Sequence, residues 1–348
     1  MNLFLYFLSS FVTAITIPNG RIYHTSVLKK NTVWIIGGLE KPLSDNIRTC
    51  EEDATGKLAK GLWKYDIDNN TWEYEDTPFV GKRGSNALIN KEGEVFVFGG
   101  GITDPKSPHY SIPVPEMWKF SNYAWSKIKT NSPPIYGHTS AINNEGHIYS
   151  LGGFHKNGRS SYLYVFDGKK WRREDTPFTL IDSKNGKTGG LVGHTMTFID
   201  KRYIYVIGGV IGFPTDKEGY NSDVWSYDTY RNKWKLLCGG VRTFGHSACF
   251  KEGTILSDSL KVKDDEIYII GGFYPSEMRT TPEGAKHLDG TKSSILSFNI
   301  RTNSWKHKGH LKNPREFHTS VLCDNTRVFV FGGYHIGEFW ERGEIVYI

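Results

Sequence analysis

Short apolar runs that each end in a glycine pair recur along the whole chain, with polar stretches between them. Six such runs are present: VWIIGG at Val33–Gly38, VFVFGG at Val95–Gly100, IYSLGG at Ile148–Gly153, IYVIGG at Ile204–Gly209, IYIIGG at Ile267–Gly272 and VFVFGG at Val328–Gly333. Runs of this length that are rich in β-branched and aromatic residues are typical of buried β-strands. Their period of about sixty residues predicts one repeated β unit.

Two further features recur with each glycine pair. Upstream lies a His-Thr pair or a variant of it: His24-Thr25, Asn86-Ala87, His138-Thr139, His194-Thr195, His246-Ser247 and His318-Thr319. Downstream, a short apolar strand containing an aromatic residue precedes a tryptophan in five units: Trp72, Trp125, Trp171, Trp234 and Trp305. Each unit therefore reads as four short strands, which we call a to d, and repeated units of this kind predict the blades of a β-propeller.

The residue types at these positions indicate how the units pack. An aromatic residue on strand c and a tryptophan on strand d are predicted to fill the space between neighbouring blades, because large flat rings bury much surface. The glycine pair is predicted where a side chain would obstruct the turn or the neighbouring blade. These aromatic residues are therefore expected to be core and not a ligand cage.

Taken together, His-Thr/Ser, an apolar run to Gly-Gly, Tyr-Asp and then Trp resemble the kelch repeat. The resemblance extends from Arg21 to Ile348 and implies an all-β, six-bladed kelch β-propeller with four-stranded blades. Blade 2 departs from the pattern, because Asn86 stands where the strand-a histidine is expected and Ser121 replaces the aspartate after the aromatic residue. Blade 5 carries an insertion within 251–264.

The ends of the chain predict how the ring closes. Blade 6 has strands a, b and c but the sequence stops at Ile348, which would leave an unpaired strand edge. The apolar, β-branched segment Ile15-Thr16-Ile17 lies where a d strand belongs. We therefore expect it to pair with Val346–Ile348 and complete blade 6.

The first fourteen residues resemble a short secretory signal, with an apolar run from Leu3 to Leu8 and small residues up to Ala14. This interpretation predicts cleavage after Ala14, a mature propeller domain over 15–348, a secreted protein and a glycan on the sequon asparagine Asn69. Two alternatives remain open at this point. The segment FVTAITI at Phe11–Ile17 would also suit a β-strand, and without a signal the chain would be an intracellular kelch scaffold.

Charge and hydropathy exclude several classes of protein. The formal charge of +6 arises from 43 basic and 37 acidic residues with no run of five like charges, so a nucleic-acid partner is not expected. A mean hydropathy of -0.45 excludes a multi-span membrane protein, and no stable membrane span is predicted. The four cysteines, Cys50, Cys238, Cys249 and Cys323, have no zinc-site spacing and allow three disulfide connectivities in an oxidising compartment.

No catalytic motif, metal site or cofactor site is evident in the sequence. Five histidines occupy the repeated strand-a position, and recurrence once per blade indicates hydrogen bonding within the blade and not one active site. The family resemblance nevertheless includes enzymes, such as sialic acid mutarotases and copper oxidases similar to galactose oxidase. A kelch-type enzyme acting on a sugar or small metabolite therefore remains the alternative to a binding module.

The candidate binding residues are three arginines that each precede the strand-a His or Asn by three positions: Arg21, Arg83 and Arg315. In kelch propellers the b–c and d–a loops share one face, and arginines at the entry to strand a line the channel mouth. A guanidinium pairs bidentately with carboxylate or sulfate. The resemblance thus implies a protein, acidic peptide or anionic glycan as the ligand.

Overall fold

The computed structural model describes residues 17–40, 56–104, 106–181, 188–211, 219–253, 265–280, 286–335 and 338–348. Over these ranges the regular structure consists of β-strands, without an α-helix. Accordingly, the described part of the chain contains no apolar helix of the length that a bilayer requires. Within these ranges, six antiparallel sheets of three to five strands are each built from one repeat of the sequence, and five two-stranded sheets lie beside them.

The blades follow one another along the chain, and strands a to d are hydrogen-bonded in that order. The first two blades comprise Thr25–Lys29, Thr32–Ile36, Leu62–Asp66 and Thr71–Glu75, then Arg83–Ile89, Val95–Asp104, Met117–Ser121 and Ala124–Lys127. Blades 3 and 4 comprise Thr139–Ile142, Ile148–Leu151, Tyr162–Phe166 and Trp171–Asp175, then Thr195–Ile199, Tyr203–Ile207, Asp223–Asp228 and Lys233–Gly239. Blade 5 comprises Ser247–Lys251, Glu266–Ile270, Ser294–Asn299 and Ser304–His310, and blade 6 comprises Thr319–Leu322, Arg327–Phe331 and Glu344–Tyr347.

Further strand pairings lie in the b–c and d–a loops on one face of the ring, and one of them involves the long strand b of blade 2. The strands pair as Arg21–Ile22 with Leu39–Glu40, Val95–Asp104 with Ser107–Pro113, Phe154–His155 with Gly158–Arg159, Leu180–Ile181 with Thr188–Gly189, Phe273–Thr280 with Lys286–Thr291, and Tyr334–His335 with Glu338–Phe339. The pairing of Arg21 with Glu40 joins a d–a connection to a b–c connection. The two sets of loops therefore share one face, as predicted.

Aromatic pairs fill the space between blades. The tryptophan of strand d lies directly opposite the aromatic residue of strand c in all five predicted pairs: Tyr65–Trp72, Phe120–Trp125, Phe166–Trp171, Tyr227–Trp234 and Phe298–Trp305. Their ring centroids are 4.8 to 5.3 Å apart. Tyr65 of blade 1 also stacks on Phe329 of blade 6 at 4.6 Å. The predicted role of these rings as interblade core is confirmed.

The glycine pair ends strand b where two blades approach most closely. A Cβ on Gly332 would lie 2.6 Å from Cε1 of His24 in the next blade, and a Cβ on Gly333 would lie 2.9 Å from Cβ of His318 in its own blade. Both glycines also adopt positive φ angles of 68° and 98°. Close approach and backbone conformation together account for the glycine pair.

Blade 6 contributes three described strands, of which strand c presents an exposed Tyr347. Ile15 and Thr16 of the expected closing strand lie outside the described residues, and Ile17 is exposed and not part of a strand. Closure by this segment therefore stays a prediction. The blades themselves meet, because Val33 and Ile35 of blade 1 share one buried cluster with Phe329 and Phe331 of blade 6.

Candidate functional site

A series of hydrogen bonds links the innermost strands around the channel. In four seams, the hydroxyl that follows the histidine in one blade shares a hydrogen bond with Nε2 of the histidine in the next blade: Thr139–His194 at 2.6 Å, Thr195–His246 at 3.0 Å, Ser247–His318 at 2.8 Å and Thr319–His24 at 2.8 Å. The histidines recur for a structural reason, as expected. However, they bond to the neighbouring blade, whereas the sequence had suggested bonding within the blade.

These histidines are buried and uncharged at neutral pH. Burial lowers the pKa of His24, His138, His194 and His246 to about 3 and that of His318 well below its ordinary value. A neutral imidazole can accept a hydroxyl hydrogen bond without the cost of burying a charge. The four linked histidines therefore belong to the scaffold.

Blade 2 is aligned one residue differently from the sequence-based prediction. Ser85, and not Asn86, lies opposite the first glycine of the pair, Gly99, and therefore occupies the histidine position. The turns between strands a and b explain the error. Strand a of blade 1 ends at Lys29 and strand b begins at Thr32, whereas in blade 2 they are separated by 90–94. Counting back from Gly99 by the spacing between His24 and Gly37 in blade 1 therefore leads to Asn86, one residue after Ser85.

This shift separates Arg83 from the other two arginines. The carbonyl oxygens of Arg21, Lys82 and Arg315 each accept a hydrogen bond from the second glycine of the preceding blade, at 2.9, 2.7 and 2.9 Å. Lys82 is thus the residue equivalent to Arg21 and Arg315. Arg83 is paired with Gly101, as Ile22 is paired with Leu39, at the rim of the channel. Arg83 therefore does not occupy the same position in its blade as Arg21 and Arg315 do in theirs.

Arg21 and Arg315 are buried parts of their own blades. Their side chains are 1% and 2% exposed, and each donates to the carbonyl of the first glycine of its blade, Gly37 at 3.3 Å and Gly332 at 3.0 Å. Each also forms an ion pair with a glutamate that follows strand b: Arg21–Glu40 at 3.5 Å and Arg315–Glu344 at 3.1 Å. Burial lowers the pKa of Arg21 to about 10 although Glu40 opposes the shift.

A ligand anion would have to displace these glutamates, so the predicted contact to a ligand is not supported by the environment of Arg21 or Arg315. Lys82 has the same arrangement, because its ammonium lies 3.1 Å from Glu116 and its side chain is 2% exposed. Burial raises the pKa of Glu116, but Lys127 and Lys82 outweigh this effect and bring it to about 2. The sequence does not reveal that Glu40, Glu116 and Glu344 are equivalent, because the b–c segments that carry them differ in length.

Arg83 has a different environment. Its Nε donates to the hydroxyl of Ser111 at 2.5 Å, and its guanidinium carbon lies 5.7 Å from the ring centroid of Tyr136. Among the described residues it has no carboxylate partner. The side chain lines the central channel, as do Ser111 and Tyr136, whereas Arg21 and Arg315 do not. Arg83 is also buried, at 5% exposure, but of the three predicted residues it alone lines the channel and has no carboxylate partner in the described part of the chain.

The channel contains a cavity of about 1300 Å³ that is lined by strand a of every blade. The charged side chains of its lining are Arg83, Lys106, Lys156 and Asp104, apart from the histidines. All four lie on the face that carries the b–c and d–a loops. The described mouth of the channel therefore holds more cationic than anionic groups, which favours an anionic ligand.

Aromatic rings surround the same mouth. Tyr23 and Phe317 are in contact at 4.6 Å, Tyr136 stacks on Phe154 at 5.2 Å, and Phe244 meets Phe317 at 5.6 Å. All five rings line the cavity. Because rings bind the apolar faces of a ligand while a guanidinium binds its charged group, the mouth fits a ligand that has both. A signal for these residues was present in the sequence, since they recur beside the histidine and after the glycine pair.

The remaining predicted sites lie away from the channel. Asn69 is exposed in the c–d turn of blade 1, where its side-chain amide donates to Asp66 at 3.0 Å, and its glycosylation stays a prediction. Cys238, Cys249 and Cys323 are free thiols, and Cys50 lies outside the described residues. Within the described ranges, no three His, Cys, Asp or Glu side chains converge as a metal site would require.

The chain is similar in sequence to several characterised proteins. A segment of murine multiple epidermal growth factor-like domains protein 8 is 24% identical over 330 residues, which cover 92% of this chain but 9% of that protein. N-acetylneuraminate epimerase 1 of Escherichia coli O6:H1 (strain CFT073) is 26% identical over 82% of this chain and 70% of the epimerase. Human kelch domain-containing protein 1 is 22% identical over 89% of this chain and 74% of its own length.

The fold also has a match among solved structures. The structure of YjhT superimposes with a TM-score of 0.67 over 95% of this chain and 98% of that chain, at 16% sequence identity. The family model of the KLHDC2/KLHL20/DRC7 Kelch-repeats domain matches residues 85–333, which is more than half of the chain. The predicted all-β propeller with six blades is therefore confirmed, and the chain belongs to the kelch-repeat family.

Proposed function

We propose that this kelch propeller is a binding module that takes an anionic ligand, either an acidic peptide or an acidic glycan, at the mouth of its central channel. The observation that carries the proposal is the environment of Arg83. It is a channel-lining guanidinium without a carboxylate partner among the described residues. The other two predicted arginines, Arg21 and Arg315, are neutralised by Glu40 and Glu344.

The rest of the mouth supports this assignment. Ser111 and Tyr136 hold the guanidinium on two sides, so that little conformational freedom is left to lose on binding. Lys106 and Lys156 lie in the same lining and add positive charge, with Asp104 as the opposing carboxylate. A well-desolvated pair between guanidinium and carboxylate stabilises a complex by about 1.5–3 kcal/mol.

The proposal is tested by titrating an oligoglutamate peptide and a sulfated oligosaccharide into the full chain and into two variants. Arg83→Gln is expected to weaken the binding of at least one probe by about tenfold or more. Arg172→Gln is the matched control, because Arg172 is 45% exposed on strand d of blade 3, where it pairs with Glu174. Equal binding by both variants, or no binding of either probe to the parent chain, would contradict the proposal.

A second candidate function is an enzyme that acts on an acidic sugar. It is favoured by the alignment with a protein named N-acetylneuraminate epimerase 1, which extends over 82% of this chain. His155 at the channel mouth is half-buried, and burial lowers its pKa, so its imidazole is neutral at pH 7 and can accept a proton. The test is to follow the anomers of N-acetylneuraminate by NMR with the parent chain and with His155→Gln. Exchange at the uncatalysed rate would exclude this activity.

We also propose that the binding module is secreted. The proposal rests on the apolar segment Leu3–Leu8 followed by small residues to Ala14, and on a sequon asparagine, Asn69, that is exposed in a turn. The measurement is the intact mass of protein recovered from the medium of a eukaryotic host, before and after enzymatic removal of glycans. A mature chain that begins at Ile15 and loses mass on deglycosylation is expected. Retention in the cells with an intact Met1 would contradict secretion.

A further inference from the structure

The seam between blades 2 and 3, which we call the 2–3 seam, has a polar residue at one strand-b position that is apolar in the other blades. In strand b of blade 3, Ser150 stands two residues before the glycine pair, where the other blades have only Ile or Val: Ile35, Val97, Val206, Ile269 and Val330. Ser150 is completely buried. A hydroxyl in a position that five other blades fill with an apolar side chain indicates a local requirement for a polar group.

Three polar side chains lie together on one face of blade 3. Ser150 is the register partner of Ser140 on strand a, and His138 precedes Ser140 by two residues on the same face. The ring centroid of His138 lies 5.0 Å from that of Phe98, so this face packs against blade 2. His138, Ser140 and Ser150 are 3%, 9% and 0% exposed.

None of these three side chains has a hydrogen-bond partner among the described residues. Both ring nitrogens of His138 and the hydroxyls of Ser140 and Ser150 are buried and unbonded. In the described part of the chain, His138 is the one strand-a histidine whose Nε2 lacks a hydroxyl from the preceding blade. Buried polar groups in native proteins are almost always bonded, to protein, to ordered water or to a ligand.

The register of blade 2 explains why His138 is left without a partner. Asn86 occupies the position from which a threonine or serine bonds the next histidine in four other seams. Its amide instead donates to the backbone oxygen of His138 at 2.8 Å. Blade 2 therefore supplies a backbone link to blade 3 and leaves both nitrogens of the buried imidazole unbonded among the described residues.

The 2–3 seam opens toward the candidate ligand site. His138 and Ser140 line the channel cavity together with Arg83. Arg83 belongs to the same seam, because the next residue, Gly84, accepts a hydrogen bond of 2.8 Å from Gly137, which directly precedes His138. Arg83 begins strand a of blade 2, and His138 and Ser140 lie at the start of strand a of blade 3. The guanidinium and the unbonded polar groups therefore come from neighbouring strands.

We infer that the 2–3 seam is a polar subsite for the channel ligand, in which His138 and Ser140 hydrogen-bond a hydroxyl group while the ligand carboxylate binds Arg83. The ligand class is a hydroxylated carboxylate, and not a carboxylate on an apolar or purely acidic chain. This inference rests on the proposed function for the role of Arg83. It goes beyond that function by assigning a second contact and by narrowing the ligand chemistry.

The experiment compares D-glucuronate with hexanoate, which has a carboxylate but no hydroxyl. Affinities are measured by NMR titration with the parent chain and with four variants. Asn86→Thr restores the hydroxyl that would occupy Nε2 of His138, and Ser140→Ala removes one hydroxyl of the seam. Ser320→Ala is the matched control, because Ser320 has the same position in blade 6, lines the cavity and also has a buried unbonded hydroxyl, but lies beside His318, whose Nε2 is bonded to Ser247. Arg83→Gln reports on the proposed function separately.

D-glucuronate is expected to bind the parent chain more tightly than hexanoate does, by about fivefold or more. Asn86→Thr and Ser140→Ala should remove this preference without changing the affinity for hexanoate, and Ser320→Ala should keep the preference. Equal affinities for the two probes in the parent chain, or an unchanged preference in both seam variants, would overturn the inference. If Arg83→Gln alone weakens both probes, the proposed function holds while the subsite fails. If Arg83→Gln has no effect, the proposed function fails.

Discussion

The hydroxyl of Thr319 and Nε2 of His24 share a hydrogen bond of 2.8 Å although the two residues are 295 positions apart in the chain. This bond joins blade 6 to blade 1 in the way that equivalent bonds join blades 3 to 6. Beside it, Tyr65 stacks on Phe329 at 4.6 Å. The ends of the repeat array therefore meet through the same hydrogen bond as the seams between blades 3 and 6.

Removing the hydroxyl of Thr319 is expected to weaken this seam. Thr319→Val keeps the shape of the side chain but leaves a buried imidazole nitrogen without a partner, at a cost of about 1–3 kcal/mol in the free energy of unfolding. Urea denaturation measures the change. Thr302→Val, in an exposed turn of blade 5, is the control and should change the free energy of unfolding by no more than about 0.5 kcal/mol. Equal effects of the two substitutions would argue against a role for the bond in closure.

The stability of the propeller should fall as the pH is lowered from 7.5 to 5.5. The folded-state pKa of His24, His138, His194 and His246 is about 3, against an ordinary value of 6.5. The unfolded chain therefore binds protons below pH 6.5 that the folded chain does not bind until about pH 3, so acid favours unfolding throughout this window.

Each such histidine lowers the free energy of unfolding by about 1.4 kcal/mol per pH unit once its unfolded form is protonated. Denaturation curves at pH 7.5, 6.5 and 5.5 measure this dependence. Glu116 and Asp228, whose pKa values are about 2, do not titrate in this range and so do not mask the effect. A free energy of unfolding that stays constant between pH 7.5 and 5.5 would show that the histidines are accessible to protons in the fold.

Truncating Trp72 should destabilise the seam between blades 1 and 6. Its ring lies 4.8 Å from Tyr65 and 5.4 Å from Phe331, so Trp72→Ala removes contacts within blade 1 and across the seam. We expect a loss of about 3–5 kcal/mol in the free energy of unfolding. The exposed Tyr123 in the c–d turn of blade 2 provides the control, and Tyr123→Ala should be close to neutral. A loss for Trp72→Ala below about 1 kcal/mol would contradict the assigned interblade packing.

The predicted closing strand can be tested by deletion. Removing Ile15–Pro18 should lower the melting temperature much more than removing four residues from the loop 102–116 of blade 2. The reason is that strand c of blade 6 would then keep an open edge beside Tyr347. Similar losses in the two deletions would count against closure by the N-terminal segment.

The sequence was sufficient to predict the fold and the interblade rings because both depend on periodic features. Trp72, Trp125 and Trp171 follow a strand-c aromatic residue by seven, five and five positions, and each c–d hairpin places the tryptophan directly opposite that residue. The register of Ser85 could not be counted from the glycines, because the turn between strands a and b changes length from blade to blade.

The environments of the candidate binding residues were harder to predict because they depend on contacts that are distant in the chain. Arg21 and Arg315 are neutralised by glutamates on b–c segments of unequal length, and no spacing in the sequence identifies those pairs. A signal for the 2–3 seam did exist, since Ser150 interrupts an apolar run that is uniform in the other blades. Its significance depends on the unbonded state of His138, which only the arrangement of the blades reveals.

We propose that Arg83, and neither Arg21 nor Arg315, meets an anionic ligand at the channel mouth. The most direct measurement follows the side-chain Nε–H resonances of the arginines by NMR while D-glucuronate is added. We expect the Arg83 resonance to shift and reach saturation, and the resonances of Arg21 and Arg315 to stay in place because Glu40 and Glu344 already hold these guanidiniums. An unshifted Arg83 resonance at saturating ligand, or a shift at Arg21 or Arg315 in its place, would contradict the claim.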